Sequence, residues 1–403
     1  MSNTNPNSEK IEPHVEEKFE IVQKLGMGAY GVVWKAIRRK DQRLVAVKKV
    51  FDAFHNKTDS QRTYREVMIL CGLKGHPNIV NLVSLIRATN NNDLYMVFDY
   101  MEADLHTVIK SNILSEDPRR YIIYQILKGL KYIHSGQIIH RDLKPSNILV
   151  NPQCKIQIAD FGLSRSVIRA PDEEDPILTE YIATRWYRAP EIILGAQQYT
   201  KAVDVWSVGC ILGEMLHGRA IFPGKSTLNQ IELILRLTGI PTDEDLESLN
   251  CLTAWNIIKG LNISKPRNWE EFFPGASSDA LDFVRLCLQF NPKKRPTVDQ
   301  LFDHKYVRPF RGSESEPVLP KPIDLGFDDN IKLNIGDYRN ALYKLIAKTK
   351  KQQVIKSLKQ SNMMFKKIEG SPSHSPSPNH NAQGNPPLKP PGKRVSNIVS
   401  KEY

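Results

Sequence analysis

The chain has 403 residues, 40% of them hydrophobic, and is therefore long enough to form two lobes around a substantial core. No run of about 18 apolar residues occurs, which excludes a membrane-spanning helix, and the polar first residues argue against a signal peptide. The net charge of +12 would suit a nucleic-acid ligand, but Lys and Arg outnumber Asp and Glu by twelve to two from residue 342 onward, so the basic character belongs to a tail and we expect no nucleic-acid partner.

Residues 1–18 are predicted to be disordered, and residues 19–101 to form a strand-rich lobe. FEIVQKLG, YGVVWKAI, LVAVKKV and LYMVF are short β-branched runs separated by turns. Between them, SQRTYREVMILCGL has apolar residues at i, i+3, i+4 and i+7, which predicts a helix. The residues of this stripe are Tyr64, Val67, Met68 and Cys71.

From residue 102 the chain is predicted to be mostly helical. RRYIIYQILKGLKYIHSG is strongly periodic and is closed by Gly136, and VDVWSVGCILGEML is apolar nearly all round, as expected of a buried central helix. STLNQIELILRLTG and SSDALDFVRLCLQF are amphipathic. A sheet followed by helices predicts an α+β fold with a small β-rich lobe and a large α-helical lobe.

Two segments follow the helical lobe. Residues 311–350 keep apolar groups and are predicted to pack on the preceding domain, whereas residues 351–403 are predicted to form a basic, Ser/Pro-rich, disordered tail. In this tail, PPLKPP with Lys393 and Arg394 is similar to an SH3-domain ligand, because PxxP preforms an extended helix; a plain spacer fits the composition as well.

The first motif is a glycine-rich loop. GMGAYGVV fits GxGxxGxV, with Gly26, Gly28, Gly31 and Val33 at the fixed positions. The pattern alone also suits a dinucleotide-binding loop or a plain hairpin. A dinucleotide fold requires a helix next and an acid about 20 residues on, whereas here a strand follows and Lys48 stands at that distance. The loop is therefore predicted to cover the phosphates of ATP, with Lys48 contacting them and Glu66 as the partner of Lys48.

The strongest single signal is HRDLKPSN at residues 140–147, which fits H-R-D-L-x-x-x-N. Asp142 would accept the proton of a substrate hydroxyl, Lys144 would steady the γ-phosphate and Asn147 would hold Mg²⁺. Asp160 opens the sequence DFG behind the strand-like KIQIAD and would supply the metal carboxylate. A chance DFG is common, but one at this spacing after the asparagine is not.

The sequence APE at residues 189–191 closes a segment that begins at Asp160. Thr179 and Tyr181 lie between these points, where an activation-loop phosphorylation site belongs. A phosphate adds about two negative charges and strong acceptor oxygens, which arginine binds in bidentate fashion. Phosphates at this lip are therefore expected to order the loop through arginine pairs.

From residue 19 to residue 310 the sequence resembles eukaryotic protein kinases throughout, with an N-lobe to 101 and a C-lobe from 102. The T-E-Y lip, IATRWYRAPE and the insertion around STLNQIELILRLTGIPTDEDL are similar to the extracellular-signal-regulated, mitogen-activated kinases. KKVFDAFHNKTDSQRTYREVMIL and LYMVFDYMEADLH resemble the atypical branch called extracellular-signal-regulated kinase seven/eight, or mitogen-activated kinase fifteen.

The resemblance implies a monomeric, proline-directed serine/threonine kinase that uses ATP and Mg²⁺. It also implies activation by phosphorylation of Thr179 and Tyr181, by the kinase itself, and a location in cytoplasm and nucleus, with cilium or basal body as a family-level alternative. The implied ATP site comprises Leu25, Gly26, Gly28, Gly31, Val33, Ala46, Lys48, the gatekeeper Phe98, the hinge residues Asp99 and Met101, and the ribose contact Asp104. The implied phosphate-binding arginines are Arg65, Arg141 and Arg165 for Thr179, and Arg185 and Arg188 for Tyr181. A buried Glu191–Arg295 ion pair and an Asp204 that anchors the catalytic loop complete the implied set.

Two departures from the family pattern stand out. The acidic insert APDEEDP lengthens the segment before the lip, and the acidic docking site after the large lobe is reduced to Glu314 and Glu316. A pseudokinase scaffold is one alternative, because the fold alone does not prove activity, but it predicts the loss of a catalytic residue and none is lost. A cyclin-dependent kinase is another, but it would carry a single lip threonine.

Overall fold

The computed structural model describes residues 10–28, 31–167, 185–196, 200–263, 267–313 and 315–369. Five antiparallel strands form the sheet of the small lobe, in the spatial order β1-β2-β3-β5-β4. The strands are β1 (Phe19–Gly28), β2 (Gly31–Arg38), β3 (Arg43–Val50), β4 (Leu82–Arg87) and β5 (Leu94–Asp99). Because successive side chains of a strand point to opposite faces, the pairing of Lys48 with Val33 and of Ala46 with Phe98 places these four on one face. Val47 points the other way, into a small core.

Two helices belong to this lobe, α1 (Pro13–Glu16) and α2 (Lys57–Gly72). The stripe predicted along α2 is partly wrong, because Met68 is only half-buried and Cys71 is exposed. Ile69 is buried instead, with 0% of its surface exposed. The helix packs on more than one side, since both the main core and the C-terminal extension contact it. A single amphipathic period therefore does not describe α2.

Helices dominate the large lobe, which confirms the predicted α+β fold. They are α3 (Leu105–Lys110), α4 (Glu116–Ser135), α5 (Pro190–Ile193), α6 (Ala202–His217), α7 (Thr227–Thr238), α8 (Asp243–Glu247), α9 (Leu252–Gly260), α10 (Trp269–Phe272), α11 (Ser278–Cys287) and α12 (Val298–Leu301). As predicted, α6 is buried along most of its length and α4 is closed by Gly136 at its C-cap.

Short strands in the large lobe frame the sequence motifs. They are β6 (Ala103–Asp104), β7 (Ile138–Ile139), β8 (Ile148–Val150), β9 (Ile156–Ile158) and β10 (Arg165–Ser166). Strand β8 pairs with β6 and β9, and β7 pairs with β10. The HRDLKPSN motif connects β7 to β8, and the DFG motif connects β9 to β10. The two pairings therefore bring both motifs together.

The segment that leads into α13 (Ile335–Glu369) contacts both lobes. Ile323 donates its backbone N–H to the carbonyl of Gly136 at 3.0 Å. A Cβ added to Gly72, at the end of α2, would lie 2.8 Å from Cγ2 of the same isoleucine. Tyr338, in the first turns of α13, is 1% exposed. The segment predicted to pack on the preceding domain thus places the side chain of Ile323 between the ends of α2 and α4.

Helix α13 continues well past residue 350, where the sequence analysis places the start of a disordered tail. The apolar periodicity fades there because Val354, Ile355 and Leu358 face solvent, with 59%, 52% and 60% of their surface exposed. The chain divides into two compact units, Met1–Lys348 and Thr349–Tyr403. The Pro-rich stretch predicted to bind SH3 domains lies outside the described residues. Within the described ranges, no helix is both long and apolar enough to cross a membrane.

Candidate active site

Lys48 on β3 and Glu66 on α2 form an ion pair across the face of the sheet. Lys48 Nζ lies 3.1 Å from Glu66 Oε1, and the glutamate side chain is 9% exposed. Burial alone would lower the pKa of Lys48, but Glu66 and Asp160 outweigh it and raise the pKa above its usual value. The lysine is therefore a fixed positive charge at the back of the cleft, as the sequence predicts.

The glycine-rich loop predicted to cover an ATP site lies between the end of β1 and the start of β2. A side chain at Gly31 would clash with the carbonyl oxygen of Lys49, whereas a Cβ at Gly26 or Gly28 would meet no atom of the described residues within 4 Å. The backbone of the loop is thus open to a ligand at those two glycines. Leu25 in the same loop is 42% exposed.

The predicted hinge and ribose contacts follow β5. Asp99 is exposed and accepts a hydrogen bond from Asn81 Nδ2 at 2.9 Å, and Met101 is half-buried. Asp104 also serves as the N-cap of α3, where its carboxylate accepts the backbone N–H of Thr107 at 2.8 Å. This capping role, which was not predicted from the sequence, fixes the orientation of the carboxylate.

Asp204 on α6 holds the catalytic loop from below. Its side chain is 0% exposed and accepts the backbone N–H groups of His140 and Arg141, each at 2.9 Å. His134 Nε2 lies 2.8 Å from the same carboxylate. Arg141 has φ +68°, so two directed hydrogen bonds hold the loop in a left-handed turn that a residue with a side chain rarely adopts. The anchoring role implied for Asp204 is confirmed.

Asp142 lies at the centre of the loop with two predicted partners around it. Lys144 Nζ is 2.7 Å from Asp142 Oδ2. Asn147 Nδ2 donates to the backbone oxygen of Asp142 at 2.8 Å and to Oδ2 at 3.2 Å. His140 Nδ1 accepts the N–H of Asp142 at 3.3 Å, so Nε2 carries the ring proton and donates to Ala159 O at 3.1 Å. This last bond joins the catalytic loop to the strand before DFG.

Asp160 faces this cluster with the chemistry of a cation ligand. Its φ is +65°, and the ring of Phe161 is fully buried against His140 at a centroid distance of 4.9 Å. Burial would raise the pKa of Asp160, but Lys48 and Arg62 keep it below its usual range, so the group is a carboxylate. Because Asn147 donates through its amide nitrogen, its side-chain oxygen is left as an acceptor. One carboxylate and one amide oxygen suit Mg²⁺, which takes few protein ligands.

Arg62 also reaches this site, which was not predicted from the sequence. A Cβ at Gly162 would lie 2.7 Å from Arg62 Nε, so this guanidinium covers the glycine of DFG. Arg62 precedes Glu66 by four residues on α2, and residues at that spacing share a face of a helix. The spacing was therefore a usable signal that Arg62 would also reach the site.

Four of the five arginines predicted to bind lip phosphates lie near the two motifs or at the APE end of the lip. Arg141 Nη1 donates to Leu163 O at 3.2 Å, and Arg165 lies on β10. Arg185 begins a short 3₁₀ turn and accepts the backbone N–H of Arg188 at 3.1 Å. Thr179, Tyr181 and the acidic insert lie outside the described residues, so the structure leaves their pairing a prediction.

The fifth arginine, Arg65, has a different anion. Its Nε lies 2.6 Å from Asp329 Oδ1, and the two side chains are 3% and 10% exposed. The predicted docking acid Glu316 is also buried, with Lys131 Nζ at 3.7 Å and Arg311 Nε at 3.6 Å from its carboxylate. Glu316 is therefore not displayed as a free acid, and its predicted partner Glu314 is outside the described part of the chain.

Comparisons with known proteins agree with this geometry. A family model for the protein kinase domain matches residues 19–307. "Extracellular signal-regulated kinase 2" of Dictyostelium discoideum is 50% identical over 349 residues, which cover 86% of this chain and 95% of that protein. "Mitogen-activated protein kinase 15" of Xenopus laevis is 49% identical over 87% of this chain and 61% of its own length. "Extracellular signal-regulated kinase 7" of Drosophila melanogaster is 43% identical, and the match spans 38% of that longer protein.

Proposed function

The chain belongs to the protein kinase family, in its mitogen-activated serine/threonine branch, and we propose that it is a proline-directed kinase that activates itself by phosphorylating Thr179 and Tyr181. The observation that carries the kinase activity within this proposal is the set of paired catalytic residues. Lys48 is paired with Glu66, and Asp142 is held by Lys144 and Asn147, as a phosphoryl-transfer site requires.

The residues divide the reaction among themselves. Lys144 and Asn147 both contact Oδ2 of Asp142, which leaves Oδ1 to accept the proton of a substrate serine or threonine hydroxyl. Lys48 supplies positive charge at the phosphates of the nucleotide, and Glu66 keeps that charge in place. Phosphoryl transfer depends on positioning and charge neutralisation more than on covalent chemistry, and these residues supply both.

The site fits ATP and Mg²⁺. Asn147 and Asp160 would hold the cation through hard oxygen ligands, and the bound cation would neutralise phosphate charge. Among the described residues no group of three or more His, Cys, Asp or Glu is arranged to hold a metal ion. Because the proposed protein ligands are one carboxylate and one amide oxygen, we expect cation binding to be weak without nucleotide and to strengthen when phosphate oxygens complete the ligand set.

Self-activation and proline preference rest on the lip. The sequence places two hydroxyls and several arginines around it, and phosphate on those hydroxyls would bind guanidinium groups in bidentate fashion. The T-E-Y lip and IATRWYRAPE resemble kinases that select proline after the target residue. The relatives named above carry mitogen-activated or extracellular signal-regulated kinase names, which supports the same assignment.

Mass spectrometry tests the proposal directly. The protein is stripped with phosphatase and incubated with Mg-ATP, and the peptide containing Thr179 and Tyr181 is followed beside an Asp142→Asn variant. We expect phosphate on both residues in the parental protein alone. An unmodified lip in the parental protein would refute self-activation.

The proline preference has a separate readout. Two substrate peptides that differ only in Ser-Pro against Ser-Ala are compared, and equal phosphorylation rates would refute proline direction.

A further inference from the structure

An ion pair between Arg65 and Asp329 links α2 to the segment before α13. Arg65 immediately precedes Glu66 on α2, and its Nε lies 2.6 Å from Asp329 Oδ1 in the segment before α13. We propose that Asp329 is a positioning residue for phosphoryl transfer, which holds α2 through Arg65 so that Glu66 meets Lys48. The proposal rests on the kinase activity of the chain and is independent of how the lip is phosphorylated.

The segment before α13 contacts more than one turn of α2. Gln61, one turn before Arg65, donates through Nε2 to the backbone oxygen of Asp329 at 2.9 Å. Tyr64 donates its hydroxyl proton to Leu325 O at 2.7 Å, and its ring lies 5.0 Å from that of Phe327. Contacts a turn apart fix the rotation of a helix as well as its position. Because Glu66 is the next residue along the backbone, a small rotation at Arg65 would carry its carboxylate away from Lys48.

The positive charge of Arg65 requires an anionic partner, and the Asp329 carboxylate supplies it. Arg65 is 3% exposed, and a buried guanidinium is strongly disfavoured unless an anion accompanies it. Two buried polar atoms of this ion pair, Arg65 Nη2 and Asp329 Oδ2, have no hydrogen-bond partner within the described part of the chain. The ion pair is therefore the main polar tie of Arg65. The family resemblance would supply a lip phosphate at this arginine, whereas here the chain supplies its own anion.

The first test uses Asp329→Asn, with the exposed neighbour Asp328→Asn as the matched control. Lip phosphorylation is measured by mass spectrometry and kinetics are compared at equal lip occupancy, so that failure of self-activation is seen separately. We expect kcat/KM for ATP to fall about tenfold or more in Asp329→Asn, because the Lys48–Glu66 pair is a requirement of the kinase reaction. KM for the peptide should not change, and Asp328→Asn should match the parent.

A second background separates positioning from general stability. In Glu66→Gln the helix no longer presents a carboxylate to Lys48, so Asp329→Asn should reduce kcat/KM by less than about twofold there. Equal losses in both backgrounds would overturn the proposal, as would a fully active Asp329→Asn protein.

If Asp329→Asn does not fold, the double variant Arg65→Met/Asp329→Leu takes its place, because two apolar residues often replace a buried ion pair without loss of stability. It should melt near the parent and still lose activity about tenfold when both proteins carry an unphosphorylated lip, so that the loss of Arg65 as a phosphate partner does not contribute. Full activity in this double variant would overturn the proposal equally.

Discussion

Arg295 and Glu191 form a bidentate ion pair in the interior of the large lobe. The two N–O distances are 2.6 Å and 2.8 Å, and the side chains are 0% and 1% exposed. The guanidinium carbon lies 5.0 Å from the centroid of the Trp206 ring, and Nη1 also donates to Ala202 O at 3.0 Å. The pair implied by the family resemblance is confirmed. It ties the end of the lip to α6 and to the loop before α12.

Removing one partner of this pair should destabilise the lobe strongly. We expect Arg295→Met to lower the free energy of unfolding by about 3–5 kcal/mol, because Glu191 would be left as a buried unpaired charge. Urea unfolding measures the change. Arg285→Met is the control, since its partner Glu270 is 62% exposed and such surface pairs contribute little to stability. Similar losses in the two variants would contradict the burial argument.

Lys48→Met should leave a folded protein with little activity. The variant removes the positive charge that the site holds beside Glu66 and Asp160, and we expect kcat/KM to fall by about 10²-fold or more, as for loss of other preorganised charge-stabilising groups. Steady-state kinetics and a melting curve measure the two effects. Lys40→Met, at an exposed turn of the same lobe, should retain parental activity. A Lys48→Met enzyme with more than half the parental rate would exclude Lys48 from the reaction.

Local patterns in the sequence were sufficient for much of the fold. Short β-branched runs marked β1, β2, β3 and β5, helical periodicity marked α4, α7 and α11, and a nearly all-apolar run marked α6. The motifs also predicted the site residues, and the structure places Lys48 beside Glu66 and Asp142 beside Asn147. The pairing of β3 with β2 and β5 places Val33, Ala46 and Phe98 on one face of the sheet. The sequence of one strand does not predict how it pairs with another.

Long-range contacts account for what the sequence did not show. Arg65 and Asp329 are separated by 264 positions, and nothing near either residue identifies the other. The exposure of Cys71 and the burial of Ile69 follow from packing on two sides of α2, which a single hydrophobic stripe cannot describe. The part of α13 beyond residue 350 carries exposed apolar residues, so a pattern based on burial did not detect it.

The carboxylate of Asp204 should make stability depend on pH in the acidic range. Burial tends to raise its pKa, but hydrogen bonds from His134 and the backbone of His140 hold the pKa below its usual value. A carboxyl whose pKa is lowered by folding stabilises the protein above its ordinary pKa of about 4 and loses that contribution as pH falls further. The free-energy difference between the parent and Asp204→Asn should therefore be constant near neutrality and shrink below about pH 4.

Urea unfolding between neutral and acidic pH measures that difference. Asp117→Asn, whose side chain is 83% exposed, controls for removal of a carboxylate and should cost little at neutral pH. If the cost of Asp204→Asn grew as the pH fell, the sign of the linkage would be wrong.

Gly72 should tolerate no side chain, because Ile323 occupies the space beside it. A Cβ at this position would lie 2.8 Å from Cγ2 and 3.0 Å from Cγ1 of that isoleucine. We expect Gly72→Ala to lower the free energy of unfolding by about 1–3 kcal/mol through overpacking, although alanine is the better helix former. Gly336→Ala in α13 is the matched control, since a Cβ there would meet nothing within 4 Å, and it should stabilise the protein by about 0.5–1 kcal/mol. The double change Gly72→Ala/Ile323→Val should recover part of the loss, because the shorter side chain frees space beside residue 72. Stabilisation by Gly72→Ala alone would show that Ile323 moves aside at little cost and does not bridge the ends of α2 and α4.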